Sequence, residues 1–120
     1  MSELTAEEIF RLDPKIRWAG LAMPDGTVKF SRMRPGVDSL SPQADDDAFM
    51  QLGPQMILAL FERFVKYVGE VRIATAEYEK IVMFIAKVKG CYMALTIDKE
   101  PQAELEESIT RIFRSIREIQ

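Results

Sequence analysis

The side chains that could carry chemistry in this 120-residue chain are few. It contains no histidine, which removes the commonest general base and the commonest metal ligand. Its single cysteine, Cys91, lies between Gly90 and Tyr92 in a predicted strand, without a histidine to activate it. The sequence has no glycine-rich phosphate loop and no G-x-S-x-G nucleophile elbow. These residues predict a protein that is not an enzyme and uses no cofactor.

Three consecutive aspartates, Asp45, Asp46 and Asp47, form the most acidic segment before the second helix. Such a run suggests Mg²⁺ or Ca²⁺, but a calcium loop spaces its acidic ligands and adds a bidentate glutamate, and this segment has neither feature. Aspartate also caps helices through its side-chain oxygen and favours the positive end of the helix dipole. The run therefore predicts a helix start, and we expect no metal site.

The charge balance argues against nucleic acid as a partner. The chain carries 16 Lys and Arg against 19 Asp and Glu, a formal net charge of −3. Binding to a phosphate backbone uses a basic field instead. Lys29, Arg32 and Arg34 form the basic cluster of the first half, and it is too short to carry this function. We expect no nucleic-acid partner.

Length and composition predict a single domain over residues 1–120. The chain is 48% hydrophobic and 29% charged, as ordinary folded domains are. No apolar run approaches the roughly 20 residues of a membrane span, and the acidic start from Met1 does not resemble a signal peptide. One cysteine cannot form an internal disulfide, which suits a reducing compartment. The expected location is the cytoplasm.

A short helix should begin the chain. Thr5 and Glu8 have the spacing of a capping box, in which each side chain accepts a hydrogen bond from the other residue's backbone. Leu4 and Ile9 flank them in the positions of a hydrophobic staple. The helix should end where Asp13 precedes a proline, because the residue before proline disfavours helical conformation.

A β-hairpin should follow this helix. Apolar residues alternate over residues 16–23 and 27–33, which predicts two strands. Pro24-Asp25-Gly26 predicts the turn between them, because proline presets φ and glycine accepts the left-handed conformation. The turn-rich composition of residues 34–47 then predicts a loop.

A long apolar helix should run over residues 47–68. Its expected buried stripe contains Phe49, Leu52, Met56, Leu60, Phe64 and Val68. A second set widens the apolar surface to more than half of the circumference: Met50, Ile57, Phe61 and Val65. Such a helix must be covered on two sides. Gly53-Pro54 should kink it or divide it into two pieces.

Three strands and a helix should complete the chain. The strands are predicted over residues 70–78, 81–88 and 91–97, and the second is apolar enough for the centre of a sheet. Pro101 suits the first turn of a helix. The stripe of that helix is Leu105, Ile109, Ile112, Phe113, Ile116 and Ile119.

This order of elements resembles the roadblock/dynein light chain family and its profilin-like relatives. The matching details are Asp13-Pro14, the strand at residues 16–23, the Pro24-Asp25-Gly26 turn and Thr27-Val28-Lys29 after it. The chain is also similar to short archaeal proteins of roadblock type, through a D-P-K-I-R-x-A-G opening and an M-R-x-G-V segment at residues 33–37. The resemblance spans nearly the whole chain.

The resemblance implies an α/β (α+β) fold with the order α-β-β-α-β-β-β-α. A five-stranded antiparallel sheet would carry the long helix on one face and the terminal helices on the other. Family members commonly dimerise through the second helix and third strand, and serve as scaffolds or regulators of small Ras-like GTPases. The resemblance thus implies a non-enzymatic homodimer that binds another protein, such as a small GTPase. The expected interface residues are Met50, Ile57, Phe61, Val65, Val71, Ile73 and Thr75.

The residues themselves agree with a dimer surface. Val71, Ile73 and Thr75 would lie on one side of an edge strand that lacks proline, and such an edge is normally paired or protected. Apolar residues on the exposed side of the second helix would form an unusual surface patch. Gly53-Pro54 departs from this picture, because a kink there would reshape the helix pair.

A small-ligand sensor is the alternative function. Related sheet-and-helix folds hold ligands between sheet and helix. The residues that could line such a pocket are Trp18, Met83, Tyr92 and Met93. Methionine and aromatic residues at strand spacing are also ordinary core residues, and this explanation is favoured.

Overall fold

The computed structural model describes residues 3–120; Met1 and Ser2, where the acidic start begins, lie outside the described residues. The helices are α1 (Ala6–Phe10), α2 (Gln43–Phe61), α3 (Val65–Val68) and α4 (Leu105–Ile119). The strands are β1 (Ile16–Ala22), β2 (Val28–Met33), β3 (Ala74–Glu77), β4 (Ile81–Val88) and β5 (Cys91–Asp98). Short 3₁₀ helices, Glu62–Phe64 and Gln102–Glu104, precede α3 and α4. Within residues 3–120, no helix has the length and apolar character needed to span a membrane.

The strands form one antiparallel sheet in the order β2-β1-β5-β4-β3. This confirms the predicted α+β class and five-stranded sheet, with α3 as an additional short helix. The three inner strands β1, β5 and β4 are mostly buried, because their long apolar runs suit strands that are covered on both faces. β2 and β3 are the two edges.

Two apolar clusters lie on opposite faces of the sheet. Residues of the first pack α1 and α4 against it, and include Ile9, Phe10, Phe84, Leu95, Ile112 and Ile116. Residues of the second lie beneath α2, and include Trp18, Ala22, Met50, Leu58, Ile85 and Ala94. The helices therefore cover both faces, as the resemblance implied.

The capping box of α1 forms as predicted. Thr5 Oγ1 accepts a hydrogen bond from the Glu8 N–H at 3.1 Å, and Glu8 Oε1 accepts one from the Thr5 N–H at 3.0 Å. Asp13, which the sequence predicts only as the end of the helix, is buried. Its carboxylate links α4 to the segment before β1 through two hydrogen bonds. Its Oδ2 accepts from Arg111 Nε at 2.6 Å, and its Oδ1 accepts from the Lys15 N–H at 2.8 Å.

Arg34, one of the basic residues of the first half, connects the end of α1 to the start of β1 through hydrogen bonds. Its guanidinium donates to the backbone oxygens of Phe10 at 2.6 Å, Asp13 at 2.8 Å and Ile16 at 2.6 Å. It also lies over the Phe10 ring, 5.2 Å from the centroid. Carbonyl groups at a helix end attract a cation. The charge of Arg34 is therefore engaged inside the fold.

The hairpin between β1 and β2 turns at the predicted residues. Gly26 has a φ of +93°, the left-handed conformation that glycine adopts without strain. The Met23 N–H donates to the Thr27 oxygen at 2.8 Å. Asp25 Oδ1 accepts from the Thr27 N–H at 2.9 Å, and this hydrogen bond lowers the pKa of Asp25.

The start of α2 differs from the prediction. The helix begins at Gln43, and Pro42 is its N-cap without a side-chain hydrogen bond. The Pro42 oxygen accepts from the N–H groups of Asp45 at 3.0 Å and Asp46 at 3.3 Å. The prediction that the aspartates cap the helix is wrong, because Pro42 itself has the extended conformation of an N-cap residue. Asp45 and Asp46 instead occupy the first turn, where negative charge favours the helix dipole.

The long helix is interrupted, but not at the predicted position. α2 continues through Gly53-Pro54, and Pro54 is buried. The interruption is the 3₁₀ segment Glu62–Phe64, after which α3 adds a single short turn. Gly53 has a packing role, because a Cβ on it would lie 2.6 Å from carbon atoms of the Phe49 ring.

The face that α2 turns to the sheet also differs from the prediction. Its buried residues are Met50, Pro54 and Leu58. Leu52, Met56 and Leu60, predicted to be buried, are 58%, 55% and 75% exposed. Residues four apart define several apolar rows on so apolar a helix, so periodicity alone does not identify the row that contacts the sheet.

Candidate functional site

An apolar groove of about 560 Å³ lies between the end of α2 and strand β3. We call it the β3 groove. From the helices it is lined by Ile57, Phe61, Phe64 and Val68, and from the segment that enters β3 by Val71, Ile73, Ala74 and Thr75. Phe61, Phe64 and Val68 are 48%, 56% and 81% exposed. Contiguous exposed apolar surface of this kind is typical of a protein contact.

Strand β3 adds free hydrogen-bonding groups beside the groove, because within residues 3–120 it pairs with β4 alone. The Tyr78 N–H donates to the Ile81 oxygen at 2.8 Å, which makes these two residues a hydrogen-bonded pair. Such pairs alternate along an antiparallel ladder. The backbone groups of Ala76 therefore face β4, whereas those of Thr75 and Glu77 point away from the sheet. The edge is open to another strand.

The structure brings most of the expected interface residues together. Five of them line the β3 groove: Ile57, Phe61, Val71, Ile73 and Thr75. Val65 is half-buried at the start of α3 and is not part of that lining. The prediction for Met50 is wrong, because its side chain is fully buried. Gly20 of β1 lacks a side chain, so Met50 packs directly on the strand, with Sδ 2.7 Å from where a Cβ would be.

The predicted alternation before β3 is also wrong. The strand covers Ala74–Glu77 instead of residues 70–78. Val71 packs on the α2 side of the sheet, whereas Ile73 packs against the cluster beneath α1 and α4. Strand alternation requires extended residues in register, and the chain is irregular here after Gly69, whose φ is +90°. Val71 and Ile73 line the groove from outside the strand.

The opposite edge, β2, is protected by charge. Lys29 Nζ pairs with Glu3, and Arg32 Nη2 pairs with Glu7 Oε1 at 2.8 Å. The hydrogen bond to Glu3 raises the pKa of Lys29. Backbone hydrogen bonding at Glu7, with the Arg32 contact, lowers the pKa of Glu7. Charged side chains on an edge discourage the addition of a strand, so β3 is the better edge for association.

A second concavity, of about 210 Å³, lies near the start of α2 and is called here the Trp18 cavity. Trp18 and Met83 line it, but Tyr92 and Met93 do not. Met93 is fully buried on the face that carries α1 and α4. The prediction that all four residues line one pocket is therefore wrong. Met93 points to the opposite face because adjacent strand residues alternate, and Tyr92 lies on the same face as Trp18 but near the other end of β5 from Thr96, which lines the cavity.

Among the described residues, the side chains that could carry chemistry do not form a cluster. Cys91 is half-exposed at the start of β5, and its Sγ lies 3.9 Å from Met23 Sδ. Among residues 3–120, no three His, Cys, Asp or Glu side chains come together in a group that could hold a metal ion. Asp45 and Asp46 lie in the first turn of α2. The β3 groove instead combines exposed apolar side chains with the backbone N–H and C=O groups of β3 that point away from the sheet.

The sequence does not indicate that the ends of this surface are exposed. Its periodicity predicts Phe64 and Val68 in the buried stripe, but both line the β3 groove and are largely exposed. After Phe61 the chain changes to 3₁₀ geometry, so the rotation of 100° per residue that supported the prediction no longer applies. The sequence contains no proline or glycine at 62–64 to signal that change.

Comparison with solved structures finds proteins of similar fold. A Roadblock/LC7 domain from Streptomyces avermitilis is 20% identical over 88% of this chain and 85% of that chain, with a TM-score of 0.55. The gliding protein MglB from Thermus thermophilus is 18% identical over 94% and 83%, with a TM-score of 0.63. MglB from Myxococcus xanthus is 14% identical over 91% and 88%, with a TM-score of 0.59. A further MglB structure is described with a tetrameric arrangement. No protein-family model and no curated protein matches the sequence.

Proposed function

We propose that this chain, which has the roadblock fold, is a non-enzymatic homodimer that binds another protein as a scaffold or regulator. The proposal assigns no reaction and no cofactor to it. The candidate partner is a small Ras-like GTPase, the partner class that the resemblance implies. The observation that carries the proposal is the open edge of β3 directly beside the apolar β3 groove.

Pairing of two β3 edges would satisfy the free backbone groups. Thr75 and Glu77 each present an N–H and a C=O away from the sheet, and a second copy related by a two-fold axis presents the same groups in antiparallel order. Isologous pairing of this kind joins two sheets into one. An unpaired edge with exposed apolar surface beside it is otherwise a site of aggregation.

The β3 groove would supply the apolar part of the same contact. Phe61, Phe64 and Val68 line the groove beside the β3 edge and are 48%, 56% and 81% exposed, so a second copy paired along β3 would cover them. Aromatic residues at the centre of an interface contribute much of its binding energy. An MglB of the same fold is described with a tetrameric arrangement, which supports self-association as a property that this fold permits.

Thr75→Pro tests the strand contact. Proline at position 75 removes the N–H that points away from the sheet. It removes no hydrogen bond to β4, because the backbone groups that face β4 belong to the neighbouring Ala76. We expect the variant to sediment as a folded monomer at micromolar concentration, whereas Thr75→Val, which keeps the N–H, sediments as a dimer. A monomeric parent protein, or a Thr75→Pro dimer as stable as the parent dimer, would contradict the homodimer.

Phe61→Asp tests the groove contact. A carboxylate buried against the apolar side chains of a second copy is unfavourable, so the dimer should dissociate at concentrations where the parent protein is dimeric. Arg63→Asp is the matched control, since Arg63 is an exposed neighbour that does not line the groove. Equal dimer dissociation constants for both variants would exclude the groove as the contact.

The GTPase partner is tested with purified small GTPases of the host organism. Each is loaded with GDP or with a non-hydrolysable GTP analogue and titrated with the protein in a calorimeter. Saturable binding that depends on the nucleotide supports a regulator of GTPases. Absence of binding to every such GTPase, for a dimer of normal stability, would refute this partner while leaving the dimer intact.

The small-ligand function receives less support. It would use the Trp18 cavity, where two of its four predicted residues meet. A ligand retained in native mass spectra of the purified protein, and lost on Met83→Trp, would favour it. The β3 groove and its open edge have no role in that function.

A further inference from the structure

The outer side of α2 carries an apolar row that the β3 groove does not use. Leu52, Met56 and Leu60 are spaced four residues apart and are all more than half exposed. We call these three residues the outer stripe. None of them lines the β3 groove. Exposed apolar surface of this length on a helix is typical of a binding site for another segment.

Phe49 connects the outer stripe to the Trp18 cavity. It lies three residues before Leu52 on α2, and its ring occupies the space that a side chain on Gly53 would fill. The same residue lines the cavity, together with Trp18 and Met83. Leu40, at 61% exposure, adds apolar surface at the cavity edge. A continuous apolar path therefore leads from the cavity along α2.

The charged side chains of α2, the helix that carries this path, are all acidic. Residues 43–61, which form α2, include Asp45, Asp46 and Asp47 but no lysine or arginine. Asp46 also lines the cavity. Arg17 lies there too, but its guanidinium is already engaged, with Asp98 Oδ1 at 2.8 Å and the backbone oxygen of Asp38 at 2.7 Å. The charge left to attract a partner is negative.

We propose that the outer stripe and the Trp18 cavity together form a docking site for a basic amphipathic helix. Its apolar side chains, spaced three and four residues apart, would pack along Leu52, Met56 and Leu60. One large apolar side chain would enter the cavity and contact Trp18. Its lysine or arginine residues would lie beside Asp45 and Asp46 at the start of α2. The site uses different residues from the dimer contact.

The probe is a synthetic helical peptide with leucine along one face, phenylalanine at the anchor position, lysine elsewhere and no tryptophan. Trp18 is the only tryptophan of the chain, so its emission reports whether the anchor enters the cavity. We expect saturable binding in the micromolar range with a change in Trp18 emission. A control peptide with glutamate at every lysine position should bind at least about tenfold more weakly.

Substitutions in the outer stripe test whether the peptide binds there. Met56→Asp and Leu60→Asp should each weaken binding about tenfold, as expected for loss of one apolar anchor. Gln51→Asp is the matched control, because Gln51 is exposed on the same helix but lies roughly 100° or more around the helix axis from each residue of the stripe. Asp45→Lys should weaken binding of the basic peptide and strengthen binding of the acidic one.

Several results would overturn the proposal. These are equal binding of the basic and acidic peptides, unchanged affinity in the stripe variants, and binding without a change in Trp18 emission. Dissociation of the dimer by Met56→Asp would show that a second copy covers the stripe. A small molecule found in the cavity would show a different occupant. The monomeric Thr75→Pro variant should still bind the peptide, so failure of the dimer and failure of this site are distinguishable.

Discussion

Replacing Arg111 by methionine should destabilise the protein more than replacing Asp13 by asparagine. The side chain of Asp13 is fully buried, whereas that of Arg111 remains 42% exposed. Arg111→Met keeps the apolar stem but leaves a buried carboxylate without its cation, which costs about 3 kcal/mol. Asp13→Asn keeps an oxygen for the Lys15 N–H, and Arg111 can turn to water or to Glu107, 3.5 Å away. We expect this change to cost about 1 kcal/mol.

The double variant separates the charge pair from the other contacts. With asparagine at 13 and methionine at 111 no buried charge remains, so the cost should be smaller than that of Arg111→Met alone. The measurement is urea unfolding of all four proteins, followed by circular dichroism and fitted to two states. Protein concentration is held constant, because a homodimer gains stability from association.

Two outcomes would refute this reasoning. If Arg111→Met and Asp13→Asn lower the free energy of unfolding equally, the difference in burial between the two side chains does not determine the cost of each substitution. If the two single costs add in the double variant, the side chains are energetically independent despite the 2.6 Å contact between Nε and Oδ2. The interaction also raises the pKa of Arg111, but arginine stays charged throughout the measurable range.

Two further predictions concern the close contact on β1 and the hairpin turn. Gly20→Ala should lower the free energy of unfolding by about 1–3 kcal/mol, because the new Cβ would approach Met50 Sδ to 2.7 Å; an unchanged urea midpoint would show that Met50 repacks freely. Asp25 has a lowered pKa because it accepts the Thr27 N–H, so its contribution to stability is complete above its ordinary pKa and is lost as pH falls through the lowered value. The small difference in thermal midpoint between the parent protein and Asp25→Leu should therefore shrink from neutral pH to about pH 3, and a constant difference would contradict the assignment.

Local features were predictable where the deciding atoms are close in sequence. The Thr5 to Glu8 capping box and the turn at Gly26 form as expected, because their hydrogen bonds join residues two to four positions apart. The apolar segment that becomes β4 also predicts a strand covered on both faces, and β4 is an inner, mostly buried strand of the sheet. Each of these conclusions depends on backbone geometry and residue type, and the tertiary fold only has to leave them undisturbed.

The candidate interface was predictable in part. Phe61 and Thr75 were assigned to one surface from a resemblance, and the structure places both on the β3 groove. Met50 was misassigned because its burial depends on Gly20, which lies thirty positions earlier in the chain. Leu60 was predicted to be buried but is exposed, because an apolar residue on an apolar helix does not indicate which row the sheet covers.

The sequence by itself determined the order of elements, the cap of α1, the hairpin turn and the scarcity of catalytic side chains. Tertiary structure decided which row of α2 is buried, where the long helix breaks and that Asp13 pairs with Arg111. The physical reason is the range of the forces involved. Capping and turn formation are local, whereas the burial of a side chain is set by the surface that a distant strand or helix presents to it.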